Sequence, residues 1–166
     1  LGLFRGGNPG PQLFTIDGPN GQGGNTVFTS NYCNAALNSQ LFIGQIGANN
    51  IDLSARTFDI EVSNLPPNQF GMVITSLTDG FVPNPGFSAG NLCVVGNIGR
   101  TVGGIFNSGG TGATSVAVDL DMVPSSTNFV SILAGETRYF QAWHRDLTGL
   151  GTPTSNYTLG LRMIFP

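Results

Sequence analysis

The chain has 166 residues, of which only 9% are charged, and all six basic residues are arginine; ordinary domains carry about 25% charge. A net charge of −3 with no basic cluster argues against nucleic acid, whose binding rests on phosphate neutralisation, and against an anionic membrane surface. The length suits one domain, with a surface that is either neutral and rich in hydroxyls and amides or hidden in an assembly.

Residues 1–30 are dominated by Gly, Pro and Asn, with the apolar pairs Leu3-Phe4 and Leu13-Phe14 between them. Such a composition alone predicts a disordered leader. An arm of this kind orders only against a surface. It either forms the first strands of its own domain or adds a strand to a neighbour's sheet edge. The expected division is therefore an arm over 1–30 and a β-sandwich over 31–166. The stretch 17–25, "DGPNGQGGN", has loop-like spacing but lacks a second carboxylate and a closing Glu, so no calcium site is expected there.

From there the periodicity is two. In 57–63, Phe58, Ile60 and Val62 alternate with Asp59 and Glu61; in 115–121, Val116, Val118 and Leu120 alternate with Ala117, Asp119 and Asp121. The segment 156–165 alternates in the same way from Tyr157 to Phe165. These are half-buried antiparallel strands. Further strands are predicted at 13–16, 26–29, 41–46, 70–76, 91–95, 128–133 and 137–144. Turn signals fall at 64–69, 82–86, 107–112 and 149–156. No window has helical spacing with caps. The predicted fold is an all-β antiparallel sandwich, jelly-roll-like.

Cys33 and Cys93, an even pair in a Gly/Asn/Thr-rich chain, suit an extracellular disulfide, with two buried thiols as the alternative. Closing the intervening loop would stabilise the fold by about 3–5 kcal/mol. The chain begins at Leu1, and its longest apolar stretches, such as 129–134, are strand-length. It reads as a mature or trimmed form with no membrane insertion.

The sequence His144-Arg145-Asp146-Leu147 spells the opening of a protein-kinase catalytic loop. A kinase also needs a phosphate-binding lysine and an asparagine where Gly151 stands, and the chain has no lysine. The stretch is instead expected to be structural. Trp143 is predicted to plug the sandwich, and Arg145 and Asp146 to end its strand, with Asp146 accepting backbone N–H groups from 152–156. His144 is the single histidine, so a histidine metal site lacks partners, and Ser131 and Ser155 lie outside any nucleophile elbow. Asp119 and Asp121, about 7 Å apart along a strand, are read as a solvated face rather than a glycosidase pair. The Gly-rich runs 96–100 and 107–112 lack the residues of a phosphate loop. Asn156-Tyr157-Thr158 is formally a glycosylation sequon. Phe81, Phe87 and Tyr139 are candidate aromatics for stacking on sugar faces, unless the two phenylalanines merely anchor their loop.

Six segments in order carry a resemblance: "YCNAALNS" (32–39), "GQIGANNIDL" (44–53), "NLPPNQFGMVITS" (64–76), "GNLCVVGNIGR" (90–100), "AGETRYFQAWHRD" (134–146) and "TSNYTLGLRMIF" (154–165). Together they resemble a C-terminal domain of uncharacterised secreted proteins frequent in planctomycetes and myxobacteria. The resemblance implies a bacterial, extracellular β-sandwich and a Cys33–Cys93 bridge. Arg138-Tyr139 and His144 depart from the aromatic-rich pattern, and no activity comes with the family.

Two functions are expected from these features. The first is a non-enzymatic, cofactor-free structural subunit that assembles with copies of itself into a filament, sheath or surface matrix. The second is a module that binds polysaccharide or another surface on behalf of a larger secreted protein.

Overall fold

The computed structural model describes residues 12–14 and 26–166. Within them the chain forms β1 (Gln12–Phe14), β2 (Val27–Tyr32), β3 (Gln45–Asp52), β4 (Thr57–Ser63), β5 (Phe70–Ser76), β6 (Thr78–Pro83) and β7 (Asn91–Val95). There follow β8 (Gly99–Asn107), β9 (Thr114–Asp119), β10 (Val123–Pro124), β11 (Phe129–Val130), β12 (Thr137–Leu147) and β13 (Pro153–Ile164), with one 3-10 turn at Pro85–Phe87. The described residues contain no helix long and apolar enough to cross a membrane. The rest of the predicted arm, including 17–25, lies outside the described residues.

Every strand pairing is antiparallel. A six-stranded sheet runs in the order β1-β2-β13-β12-β5-β8, and a three-stranded sheet in the order β3-β4-β9. They face each other as a β-sandwich. Phe58, Ile60 and Val62 of β4 and Val116 and Val118 of β9 meet Val73, Phe140, Ala142, Leu161 and Met163 of the large sheet. Phe58 packs edge-on against Phe140 and Phe165, with ring centroids 5.7 and 6.3 Å away. Each fully buried side chain of this size contributes about 1.5–3 kcal/mol, so the alternation in β4 and β9 is what joins the two layers.

A second, smaller core lies on the opposite face of the large sheet. There the β6–β7 hairpin covers Ile74, Cys93 and Val94, which are buried but stand apart from the main cluster. Gln141 fastens this cover. Its Nε2 donates to the carbonyls of Asn91 (2.9 Å) and Thr158 (2.8 Å), and its Oε1 accepts from the backbone N–H of Cys93 (2.8 Å). The Cys33–Cys93 disulfide ties the same strand to the end of β2, across a Cα–Cα distance of 6.2 Å. Tyr32 completes the seal. Its hydroxyl donates to the Cys93 carbonyl at 2.9 Å, and its ring lies over Gly160, where any Cβ would collide with it.

Several strands depart from the periodic reading. Residues 41–44 precede β3 instead of opening it, because Asn38 folds 38–42 into a turn. Its Oδ1 accepts from the N–H groups of Gln40 and Phe42 at 2.9 and 3.2 Å. The segment 128–133 yields only Phe129–Val130, and β13 begins at Pro153, inside the predicted turn. Strand β2 spans residues on both sides of the expected boundary at 30 and pairs with β1. Strands β6 and β8 carry no alternation to read. No residue of β6 is buried, and β8 breaks its register twice against β5, with Thr101, Gly103 and Gly104 at positive φ.

Replacing Gln141 with Leu keeps the volume but strands the Cys93 N–H and the Asn91 and Thr158 carbonyls. Each buried unpaired polar group costs about 1–3 kcal/mol, so Gln141→Leu should lose about 3 kcal/mol of stability in urea unfolding, with the disulfide still holding the hairpin in place. A loss below about 0.5 kcal/mol, the scale of an ordinary surface change, would show that the hairpin does not depend on this side chain.

Candidate functional site

Beyond the hairpin, the large sheet presents two cross-strand rows of opposite character. One consists of Asn156, His144, Gly71 and Phe106, paired in that order across β13, β12, β5 and β8. All four are buried. The next consists of Tyr157, Trp143, Met72 and Ile105, again paired in order. These point to the outside: the first three are half-buried and Ile105 is exposed. Three interstrand spacings make the outer row about 14 Å long. It is an apolar, partly aromatic strip facing solvent.

Trp143 therefore does not plug the sandwich. Strand parity decides this, because Phe140, Ala142, His144 and Asp146 take the inner face and leave Trp143 on the outer one. Gly71 leaves the room that the Phe106 ring takes in the inner row. A Cβ at that position would run into the Phe106 ring and the Trp143 carbonyl.

Next to the strip lies a cleft of about 560 Å³, bounded by Trp143, Arg145, Asp146, Leu147 and Phe87, with Gln69 and Pro153–Ser155 at its margins. Phe87 is 99% exposed, yet its backbone is held. It lies at φ 67°, a left-handed conformation unusual for an aromatic residue. Its carbonyl accepts from Thr154 Oγ1 at 3.2 Å, and the following Ser88 Oγ and Ala89 N–H both donate to the Ser155 carbonyl at 2.8 Å. An exposed aromatic on a fixed loop loses little conformational freedom when it contacts a ligand.

Asp146 is buried and its charge is spent. Its carboxylate accepts from the N–H groups of Leu147 (2.8 Å) and Ser39 (3.1 Å) and from Asn156 Nδ2 (3.2 Å). The loop it ties down is thus 38–42, which is 107 residues away in sequence, and not the backbone of 152–156. Asn156 also donates to the Leu37 carbonyl at 3.0 Å, and being fully buried it is no acceptor for a glycan. Arg145 is exposed, and its guanidinium makes no hydrogen bond or ion pair among the described residues.

The other predicted residues lie elsewhere. Tyr139 stacks edge-on with Tyr32, centroids 5.4 Å apart, beside the hairpin. That neighbourhood pushes the Tyr32 phenol well above its ordinary range, through burial first and then the Asp79 and Tyr139 charges. Phe81 is exposed on β6 and does not line the cleft. Cys33 and Cys93 are bonded to each other. Asp121 pairs with Arg56 at 2.8 Å on an exposed rim, and Asp119 accepts from the Asp121 N–H. Among the described residues no group of three or more His, Cys, Asp or Glu side chains could hold a metal. Of the aromatics singled out from sequence for ligand contact, the cleft takes in Phe87 alone. Trp143 was missed in that role, although its odd position beside the inward Ala142 and His144 was the signal available.

Compared with known proteins, the chain matches no family model, no curated protein and no solved structure.

His144 is buried with Nδ1 3.0 Å from the Arg145 carbonyl and Nε2 without a partner among the described residues. Burial pushes its pKa below the ordinary 6.5, against smaller opposing effects of the Arg145 carbonyl and Asp146. The unfolded chain therefore takes up this proton at a higher pH than the folded one. Between the two values the unfolded state binds more protons, so stability falls with falling pH. Denaturant titrations should show a loss that begins near pH 6.5 and levels off below the depressed folded value. His144→Leu should flatten that step, and an unchanged step would assign it to other groups.

Proposed function

We propose that this protein is a non-catalytic carbohydrate-binding module whose ligand lies along the outer strip of the large sheet and into the adjoining cleft. The observation that carries the reading is Trp143, half-buried on a solvent-facing strand beside the exposed, backbone-pinned Phe87. Sugar rings offer apolar C–H faces that stack on aromatic surfaces, and their hydroxyls need nearby polar groups. Gln69, Thr154 and Ser155 stand at the margin of the cleft. Asp146, the acidic residue among the cleft's lining, turns its carboxylate inward and has it occupied by hydrogen bonds, which favours binding over hydrolysis.

A structural role in an extracellular filament or matrix is the second reading. It draws support from large apolar side chains left exposed outside the cleft, among them Leu41, Phe42, Ile105 and Phe129. Edge pairing through β8 is disfavoured. Strand β8, at one edge of the large sheet, has register breaks and left-handed residues of the kind that blunt an edge.

Affinity electrophoresis and calorimetry against a panel of soluble polysaccharides test the first reading. Trp143→Ala should weaken binding about tenfold, equivalent to about 1.4 kcal/mol and in the range of aromatic contacts. Phe87→Ala, which touches no core residue, should weaken it several-fold with an unchanged melting temperature. Full binding by both variants would remove the reading. Light scattering tests the second: a matrix subunit gains mass with concentration, and a chain that stays monomeric at high concentration does not build a matrix by self-association.

A further inference from the structure

The two charged residues that line the cleft, Arg145 and Asp146, are adjacent in sequence and opposite in availability. Strand parity turns Asp146 inward, where the Ser39 and Leu147 N–H groups and the Asn156 amide satisfy its carboxylate. The same parity turns Arg145 outward, exposed and without a partner among the described residues. The cleft therefore presents one unspent positive charge, with Trp143 beside it on the strand and Phe87 on the facing loop. Of the six basic residues in a chain of net charge −3, Arg145 is the one that lines the cleft.

We infer that the cleft selects acidic polysaccharides, with Arg145 as the specificity-determining residue that pairs with the carboxylate of a uronic acid while Trp143 and Phe87 stack on the sugar faces. The inference rests on the carbohydrate-binding reading above and narrows its ligand class. A carboxylate matches the planar fork of a guanidinium, which offers two parallel N–H donors. Lysine would lack that match.

The test compares polygalacturonate, dextran and dextran sulfate as ligands for the intact protein and for Arg145→Gln, Arg145→Lys and Trp143→Ala. Polygalacturonate should bind more tightly than dextran, and added salt should weaken that preference because the cleft is open to solvent. Arg145→Gln should lower polygalacturonate affinity about tenfold, to the level of dextran, as expected for losing a charge-assisted pair at a partly exposed site. Arg145→Lys should recover only part of the difference, and Trp143→Ala should weaken both ligands. Because Arg145 is exposed, its variants should keep the wild-type melting temperature. Equal binding of polygalacturonate and dextran, or an acidic preference that survives in Arg145→Gln, would overturn the inference and leave the carbohydrate reading standing. Tighter binding of dextran sulfate than polygalacturonate would overturn the carboxylate assignment. Binding of none of the three by the wild-type protein would remove both readings.

Discussion

The side chain of Gln141 decides how the outer face of the large sheet is used. It is a polar residue with no exposure, and it is affordable there because all of its hydrogen-bonding directions but one have partners: two carbonyls and one N–H, all at 2.8–2.9 Å. Those partners belong to β7 and β13, so the amide holds the β6–β7 hairpin at a fixed height over the sheet. The disulfide and Tyr32 close the same contact from the side. What the hairpin covers becomes a second core, and what it leaves uncovered becomes the strip of Tyr157, Trp143, Met72 and Ile105.

The end of the sheet that carries the cleft is organised by polar groups rather than by apolar packing. Asp146 and Asn156 hold the 38–42 turn from within, and Asn38 shapes that turn and reaches the Asn64 carbonyl at 2.6 Å. In β13 an extra residue opposite Ala142 shifts the register. Thr158 uses the irregularity to accept from the Ala142 N–H at 3.0 Å, and the neighbouring Leu159 N–H donates to Gly44 at 2.9 Å, toward the other sheet. Bulges of this kind re-aim side chains at the margins of sheets. Here the bulge keeps Leu159 and Leu161 in the core while leaving Tyr157 beside Trp143 on the outer face. His144 is the weak member of this arrangement, since its Nε2 is buried without a partner among the described residues.

The all-β class and the inward faces of β4 and β9 were legible in the sequence, because each of those strands buries one face only and so alternates in hydrophobicity; in β13 the reading holds from Leu159 to Met163, but the bulge turns Tyr157 to the other face. Strand β8 was not, since a glycine-rich edge strand whose buried side chains are Val102 and Phe106 has no period to read. Strand β6 escaped for the related reason that it buries nothing. The site was legible in part. Phe87 stood out as an aromatic in a Gly/Pro loop. Trp143 was assigned to the interior, although its place between Ala142 and His144, both of which face inward, puts it on the outer face.

By itself, the sequence determined that the chain would bury a sandwich core, that Cys33 and Cys93 were available to bond, and that charge would be scarce on whatever surface remained. Those features follow from local alternation and composition, which each segment carries within itself. The tertiary structure alone decided that Arg145 has no partner among the described residues while Asp146 has several, that the latter's partners come from residue 39 and residue 156, and that Trp143 faces outward. Each of these depends on strand parity and on segments brought together from distant parts of the chain, and a contact across 107 residues leaves no periodic trace in the sequence on either side of it.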